Sequence, residues 1–125
     1  MEKKEIHDDA ASLIDQIVAG MRDKKAKNIV SLDMTKIPHA VCDYFVICHA
    51  NSKTQVNAIY DGILEKVYKN CGVNPEHREG YENSEWILID YFDVVAHIFL
   101  EETRSFYKLE SLWADAAITQ YESDQ

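Results

Sequence analysis

The spacing of hydrophobic residues switches along the chain between a helical and an extended period, which predicts where helices and strands lie. Residues 10–21 place apolar side chains three and four positions apart, so we predict an amphipathic helix capped by Asp8 or Asp9. A second helix is predicted over residues 53–70, because Ser52 begins a capping-box sequence and an apolar stripe follows it. Each helix therefore has one face available to cover a sheet.

Strands are predicted where β-branched and aromatic residues cluster between turn signals. Residues 28–33 and 43–48 are two such segments, separated by a loop that contains Pro38. We expect these two segments to be neighbours in one sheet. A short edge strand is predicted near residues 76–79, within a segment that is otherwise polar and rich in turn residues.

Residues 85–100 predict a β-hairpin around which the rest of the fold is arranged. If Tyr91 and Phe92 form a two-residue loop, Trp86 pairs with His97. Side-chain alternation then gives one purely aliphatic face, consisting of Ile87, Ile89, Val94, Ala96 and Ile98. The opposite face is mixed and carries Trp86, Leu88, Asp90, Asp93, Val95, His97 and Phe99.

The C-terminal part predicts a short helix over residues 101–113, with Phe106, Leu109 and Trp113 on one side, and then a frayed tail over residues 114–125. This order of elements predicts one α+β domain with a mixed β-sheet flanked by helices. The helices would cover the aliphatic sheet face. The mixed face would remain partly exposed or pair with another subunit.

Composition limits the partners that this chain can have. The 13 basic and 22 acidic residues give a formal net charge of -9, which disfavours direct nucleic-acid binding and favours a basic protein partner. No segment approaches the roughly 20 apolar residues that cross a bilayer, and the first residues resemble neither a signal peptide nor a transit peptide. Cys42, Cys48 and Cys71 lack C-x-x-C spacing and are interpreted as reduced thiols of a cytoplasmic protein.

The mixed hairpin face permits a chemical interpretation. Asp90, Asp93 and His97 could bind a divalent metal or serve as acid and base groups in a nucleotidyltransferase-like or metal-dependent transferase. However, aspartate is common beside turns for backbone reasons, no further ligand is evident, and the chain lacks a glycine-rich phosphate loop. We therefore expect neither a catalytic residue nor a cofactor or metal.

The same face also permits an interaction interpretation, which we prefer. Exposed aromatic residues within a ring of carboxylates are typical of the centre of a protein interface. The apolar members of this candidate interface are Trp86, Leu88, Tyr91, Phe92 and Phe99. Its acidic rim consists of Glu85, Asp90, Asp93, Glu101 and Glu102.

Several separated motifs, in order, resemble the ribosomal silencing factor family, also called Iojap-like. They are Asp43-Tyr44-Phe45-Val46-Ile47, Asn51-Ser52, Gln55-Val56 and the segments 86–99 and 104–113. The resemblance implies a reduced nucleotidyltransferase-like fold, a homodimer and no catalysis. It also implies binding to the large ribosomal subunit through ribosomal protein L14, which blocks joining of the small subunit and represses translation when nutrients are scarce.

The resemblance also suggests which residues contact the ribosome. By position they are Trp86, Leu88, Asp90, Tyr91, Asp93, His97, Arg104 and Tyr107. One departure is located in the hairpin turn, where the family usually has glycine and this chain has Phe92. Because tight hairpin turns require a positive φ, we expect strain at Phe92 and a longer turn or a shifted register.

Overall fold

The computed structural model describes residues 2–122, with side chains from residue 10 onward. Its elements are α1 (Glu2–Asp23), β1 (Lys27–Asp33), β2 (Tyr44–Ala50), α2 (Lys53–Cys71), β3 (His77–Glu79), β4 (Trp86–Asp90), β5 (Val94–Leu100), α3 (Glu101–Tyr107), α4 (Leu109–Leu112) and β6 (Ala117–Tyr121). One six-stranded sheet has the order β3-β4-β5-β2-β1-β6. Strands β2 and β5 are parallel and the other neighbours antiparallel. The predicted α+β class with a mixed sheet is confirmed.

Helices α1 and α2 pack together on one face of the sheet and bury the aliphatic side of the hairpin. The predicted apolar stripe of α2 is confirmed, and its buried residues are Val56, Ile59, Tyr60, Ile63 and Val67. Helix α1 begins at Glu2, so the prediction that Asp8 or Asp9 caps it is wrong. The apolar stripe that begins at Ala10 did not reveal the polar turns that precede it.

The capping box of α2 forms only in part. The Ser52 hydroxyl accepts the Gln55 backbone N–H over 3.1 Å, as the sequence predicts. The Gln55 side-chain amide instead donates to the carbonyls of Lys24 and Lys25, at 3.0 and 3.2 Å, just beyond the end of α1. Gln55 therefore connects the start of α2 to the end of α1.

The opposite sheet face carries a second, smaller apolar cluster. Its buried residues are Val30, Leu32, Met34, Phe45, Ile47, Val95, Phe99, Leu109 and Ala116. The expectation that this face is partly exposed holds at Trp86 and Leu88, which are half-buried where they pack against the cluster. The face is therefore a thin core with an accessible border.

The C-terminal predictions require two corrections. Lys108 adopts a left-handed conformation with φ of 50°, so the predicted single helix is divided into α3 and α4. As a result Phe106 is 78% exposed while Leu109 is buried, and the two do not share a packed side. The frayed tail is also wrong for Ala117–Tyr121, which pairs with β1 as strand β6. Residues 123–125 lie outside the described part of the chain.

Candidate docking surface

The hairpin register differs from the prediction by two positions. The observed cross-strand pairs are Trp86 with Phe99, Ile87 with Ile98, Leu88 with His97, Ile89 with Ala96 and Asp90 with Val95. The turn still has two residues, but they are Phe92 and Asp93, because the Tyr91 N–H donates to the Val94 carbonyl over 2.8 Å and closes the loop around them. Phe92 lies within it at φ of 76°, so the expected positive φ is confirmed. A two-position shift preserves the alternation, and the β-strand residues keep their predicted faces.

The three residues of the chemical interpretation do not converge. Asp90 lines a pocket on the mixed face together with His97. Asp93 instead lines a pocket with Ala10 and Leu13 of α1, on the helix-covered side, so its predicted face is wrong. Asp93 lies in the turn between β4 and β5, where strand alternation does not determine the direction of its side chain. Within the described residues, no group of three or more His, Cys, Asp or Glu side chains could hold a metal ion.

His97 positions Trp86. The Trp86 indole Nε1–H donates to His97 Nδ1 over 3.0 Å, across strands β4 and β5. His97 is only 3% exposed, and burial lowers the pKa of its imidazole to about 3. Because Nδ1 accepts from Trp86, the neutral ring carries its proton on Nε2. The histidine therefore acts as a fixed acceptor that holds the indole ring in place.

An array of aromatic rings extends from Trp86 to the protein surface. The Trp86 ring lies 4.8 Å from the Phe99 ring and 5.0 Å from the Tyr107 ring, measured between centroids. Tyr107 in turn lies 5.0 Å from Phe106. Phe106 and Tyr107 are 78% and 51% exposed. We use the name aromatic surface for the accessible rings of this array, Trp86, Phe106 and Tyr107, together with the half-buried Leu88 on the same sheet face.

Several residues of the predicted interface lie elsewhere. Tyr91 is buried and packs in the helix-side core, where α1 and α2 cover the sheet. Phe99 is fully buried beneath Trp86, so it supports the aromatic surface without being exposed on it. Phe106 is predicted to share one helix side with Leu109 and Trp113, but it is the most exposed aromatic residue of this region. The break at Lys108 separates Phe106 in α3 from Leu109 in α4, and the residue pattern gives no signal for that break.

Arg104 is a structural brace. Its guanidinium donates to the Asn28 carbonyl at 2.8 Å, to His49 Nδ1 at 3.0 Å and to a Glu110 carboxylate oxygen at 2.8 Å. Burial and the nearby guanidinium both lower the pKa of His49. Burial would raise the pKa of Glu110, but its contacts with Arg104 outweigh that effect and lower it. Arg104 thus connects α3 to β1, β2 and α4, and only 9% of it is exposed.

Cys42 and Cys48 are poor candidates for nucleophiles, because burial disfavours their thiolates. Burial raises the pKa of Cys42 and Cys48 to about 12, so both thiols stay protonated. Cys48 is fully buried in the helix-side core, as expected for a small hydrophobic residue.

In residues 2–122, no helix is both long and apolar enough to span a membrane.

Residues 7–125 match the protein family described as "Ribosomal silencing factor during starvation". The chain belongs to the ribosomal silencing factor family. Among its relatives in this family, the ribosomal silencing factor of Halalkalibacterium halodurans is 43% identical over 110 residues. The aligned region covers 88% of this chain and 92% of that protein.

Two further similar proteins extend the comparison. A crystal structure of a Chromobacterium violaceum protein matches with a TM-score of 0.77 at 31% identity, covering 83% of this chain and 85% of that one. The mouse protein named "mitochondrial assembly of ribosomal large subunit protein 1" is 33% identical over 105 residues. That match covers 80% of this chain and 44% of the mouse protein.

Proposed function

We propose that this protein binds ribosomal protein L14 of the large ribosomal subunit through its aromatic surface, acting in the cytoplasm. Binding there blocks joining of the small subunit and represses translation. Family membership supports the ribosome as the target, and the name of the mouse relative refers to the large subunit. The proposal assigns a binding role that needs no catalytic residue, cofactor or metal.

The observation that carries this proposal is the exposure of Phe106 and Tyr107 on an ordered aromatic base. An anchor residue contributes most to binding when it is held in its bound orientation before the partner arrives. Trp86 meets this condition, because His97 fixes its indole N–H and Phe99 supports its ring. Tyr and Trp side chains are also the residue types that most often dominate binding energy.

Charge supports a basic protein as the partner. The chain has a net charge of -9, and exposed Glu101 and Glu102 begin the helix that presents Tyr107. Carboxylates around an apolar centre steer a basic partner toward the surface and repel ribosomal RNA. Binding to L14 should therefore weaken as ionic strength rises, since exposed charges are screened by salt.

Subunit joining tests the proposal. Purified large and small subunits are mixed with or without the protein and separated on sucrose gradients. We expect the joined ribosome peak to decrease and the protein to sediment with free large subunits. An unchanged joined peak at saturating protein would contradict the blocking role.

We also propose a homodimer, because large apolar side chains outside the aromatic surface, Leu112 of α4 and Ile118 of the edge strand β6, are exposed on one copy. Light scattering over a range of concentrations tests this, with a monomer at every concentration as the contradicting result. The double change Leu112→Ala and Ile118→Ala serves as a probe, because both residues lie outside the aromatic surface. We expect it to shift the equilibrium toward monomer and to leave binding of L14 unchanged.

A further inference from the structure

A separate pocket adjoins the aromatic surface on the same face of the sheet. It has a volume of about 220 Å³, and its walls include Phe45, Leu88, Val95 and His97. Leu88 lines this pocket and also belongs to the aromatic surface, so the two are contiguous. The pocket lies toward the hairpin turn, because Asp90 and Phe92 also line it.

Two exposed apolar residues, Val41 and Phe92, border the pocket. They are 74% and 70% exposed, yet both contribute to its lining. Phe92 holds a φ of 76°, which is unfavourable for a bulky side chain. The Asp90 carboxylate accepts the Phe92 N–H over 2.8 Å and stabilises this turn. Phe92 gains little burial from this strained conformation. The stability of the fold therefore does not explain why a bulky residue occupies the position, and such strain points to function.

His97, which lines the pocket, carries a buried polar group without a partner. His97 Nε2 is buried and has no hydrogen-bond partner among the described residues. Since Nδ1 already accepts from Trp86, the unsatisfied group is an N–H donor. This nitrogen is itself inaccessible, so a docking segment would contact the ring of His97 rather than its N–H.

The charge around the pocket indicates the kind of segment it fits. Asp90 lines the pocket, and Asp43 directly follows Cys42, which is another lining residue. Five of the other lining residues present apolar side chains, namely Val41, Phe45, Leu88, Phe92 and Val95. An apolar side chain flanked by basic residues therefore complements both the walls and their surroundings.

We propose that this pocket receives an apolar side chain of leucine type from a basic segment of the protein that docks on the aromatic surface. Phe92 and Val41 pack against the inserted side chain from the two sides of the opening. The inference rests on the proposed function, because it gives the docking partner a second anchor point. It also assigns the strained Phe92 a specific role in that contact.

The first test measures binding of purified ribosomal protein L14 together with thermal stability. Phe92→Gly removes the ring and relieves the positive φ, and Phe92→Asn tolerates the same φ. We expect both variants to bind L14 about tenfold more weakly than the wild type, at an unchanged or higher melting temperature. Tyr68→Ala, which alters an exposed residue of α2, is the control and should bind within about twofold. Wild-type affinity in both Phe92 variants would overturn the inference.

The second test does not depend on L14. The full chain, labelled with carbon-13 at its methyl groups, is titrated with the peptide acetyl-Lys-Leu-Lys-amide and, separately, with acetyl-Lys-Ser-Lys-amide. We expect the leucine peptide alone to shift the methyl resonances of Val41, Leu88 and Val95. If these shifts are absent, the proposal that the pocket receives a leucine side chain is overturned, even if L14 binds. Failure of the wild type to bind L14, with the shifts present, counts instead against the proposed function.

Discussion

The indole N–H of Trp86 and the Nδ1 atom of His97 form a 3.0 Å hydrogen bond across neighbouring strands. This bond determines the orientation of the indole on the aromatic surface. It also requires His97 to remain neutral, because a protonated ring has no acceptor to offer. The surface and the pH response of the fold therefore depend on the same residue.

Acidification should destabilise the protein through His97. Its pKa is lowered from 6.5 to about 3 by burial, so between these values the unfolded chain binds a proton that the folded chain does not. The stabilisation is present above pH 6.5 and is lost as the pH falls toward 3. His49, whose pKa is also lowered, acts in the same direction.

His97→Gln provides the comparison, because a glutamine carbonyl can accept the Trp86 N–H but does not titrate. Urea unfolding at a series of pH values between 7.5 and 4.5 should show a smaller loss of unfolding free energy in the variant than in the wild type. If the unfolding free energies of the two proteins fell in parallel as the pH decreased, His97 would not be the group whose protonation destabilises the fold.

The two glycines where α1 meets α2 should respond in opposite ways to alanine. A Cβ at Gly20 would lie 3.0 Å from the Cα of Ile63 and 3.2 Å from the Gly62 carbonyl oxygen, so it meets backbone that cannot move aside. A Cβ at Gly62 would meet only the flexible Lys24 side chain within 3.4 Å. Gly20→Ala should therefore cost about 1–3 kcal/mol of unfolding free energy through overpacking.

Gly62→Ala is the matched control. It should be neutral or stabilise the protein by up to about 1 kcal/mol, because alanine favours the interior of a helix over glycine. Chemical denaturation measures both variants. Equal effects for the two substitutions would contradict the close helix contact at Gly20.

Arg104 should be required for stability rather than for binding. Arg104→Met removes the donor to Asn28, His49 and Glu110 while keeping a side chain of similar length, and we expect a loss of about 2–4 kcal/mol. Lys36→Met, at an exposed loop position, should change stability by less than about 0.5 kcal/mol.

Denaturant unfolding measures these losses, and binding to large subunits is compared at a temperature where both variants remain folded. If the Arg104→Met variant had wild-type stability but bound large subunits more weakly, Arg104 would instead be a direct contact with the ribosome.

The sequence predicted what local periodicity determines. The stripe of α2 and the two faces of the hairpin depend on side-chain spacing, and the faces remained correct although the register moved by two positions. The register itself depended on the turn, whose conformation at Phe92 is unusual for a bulky residue.

Other features depend on contacts between distant segments or on individual backbone angles. Strand β6 is mostly exposed, so its residues lack a hydrophobic pattern, and pairing with β1 determines its conformation. The break at Lys108 follows from a single positive φ. Arg104 acquires its structural role from Asn28 and His49, which are distant in sequence. Of the aromatic surface, the residue pattern indicated Trp86 and Leu88, the family resemblance added Tyr107, and neither indicated Phe106.

Co-sedimentation with purified large ribosomal subunits tests the central proposal most directly. The double variant Phe106→Ala and Tyr107→Ala changes two exposed residues, so it should fold normally, and it removes the accessible part of the aromatic array. Tyr68→Ala, on α2, is the control. We predict that the wild type and Tyr68→Ala sediment with the subunits at low salt, whereas the double variant binds at least about tenfold more weakly. A folded double variant that co-sediments like the wild type would contradict this assignment of the docking surface.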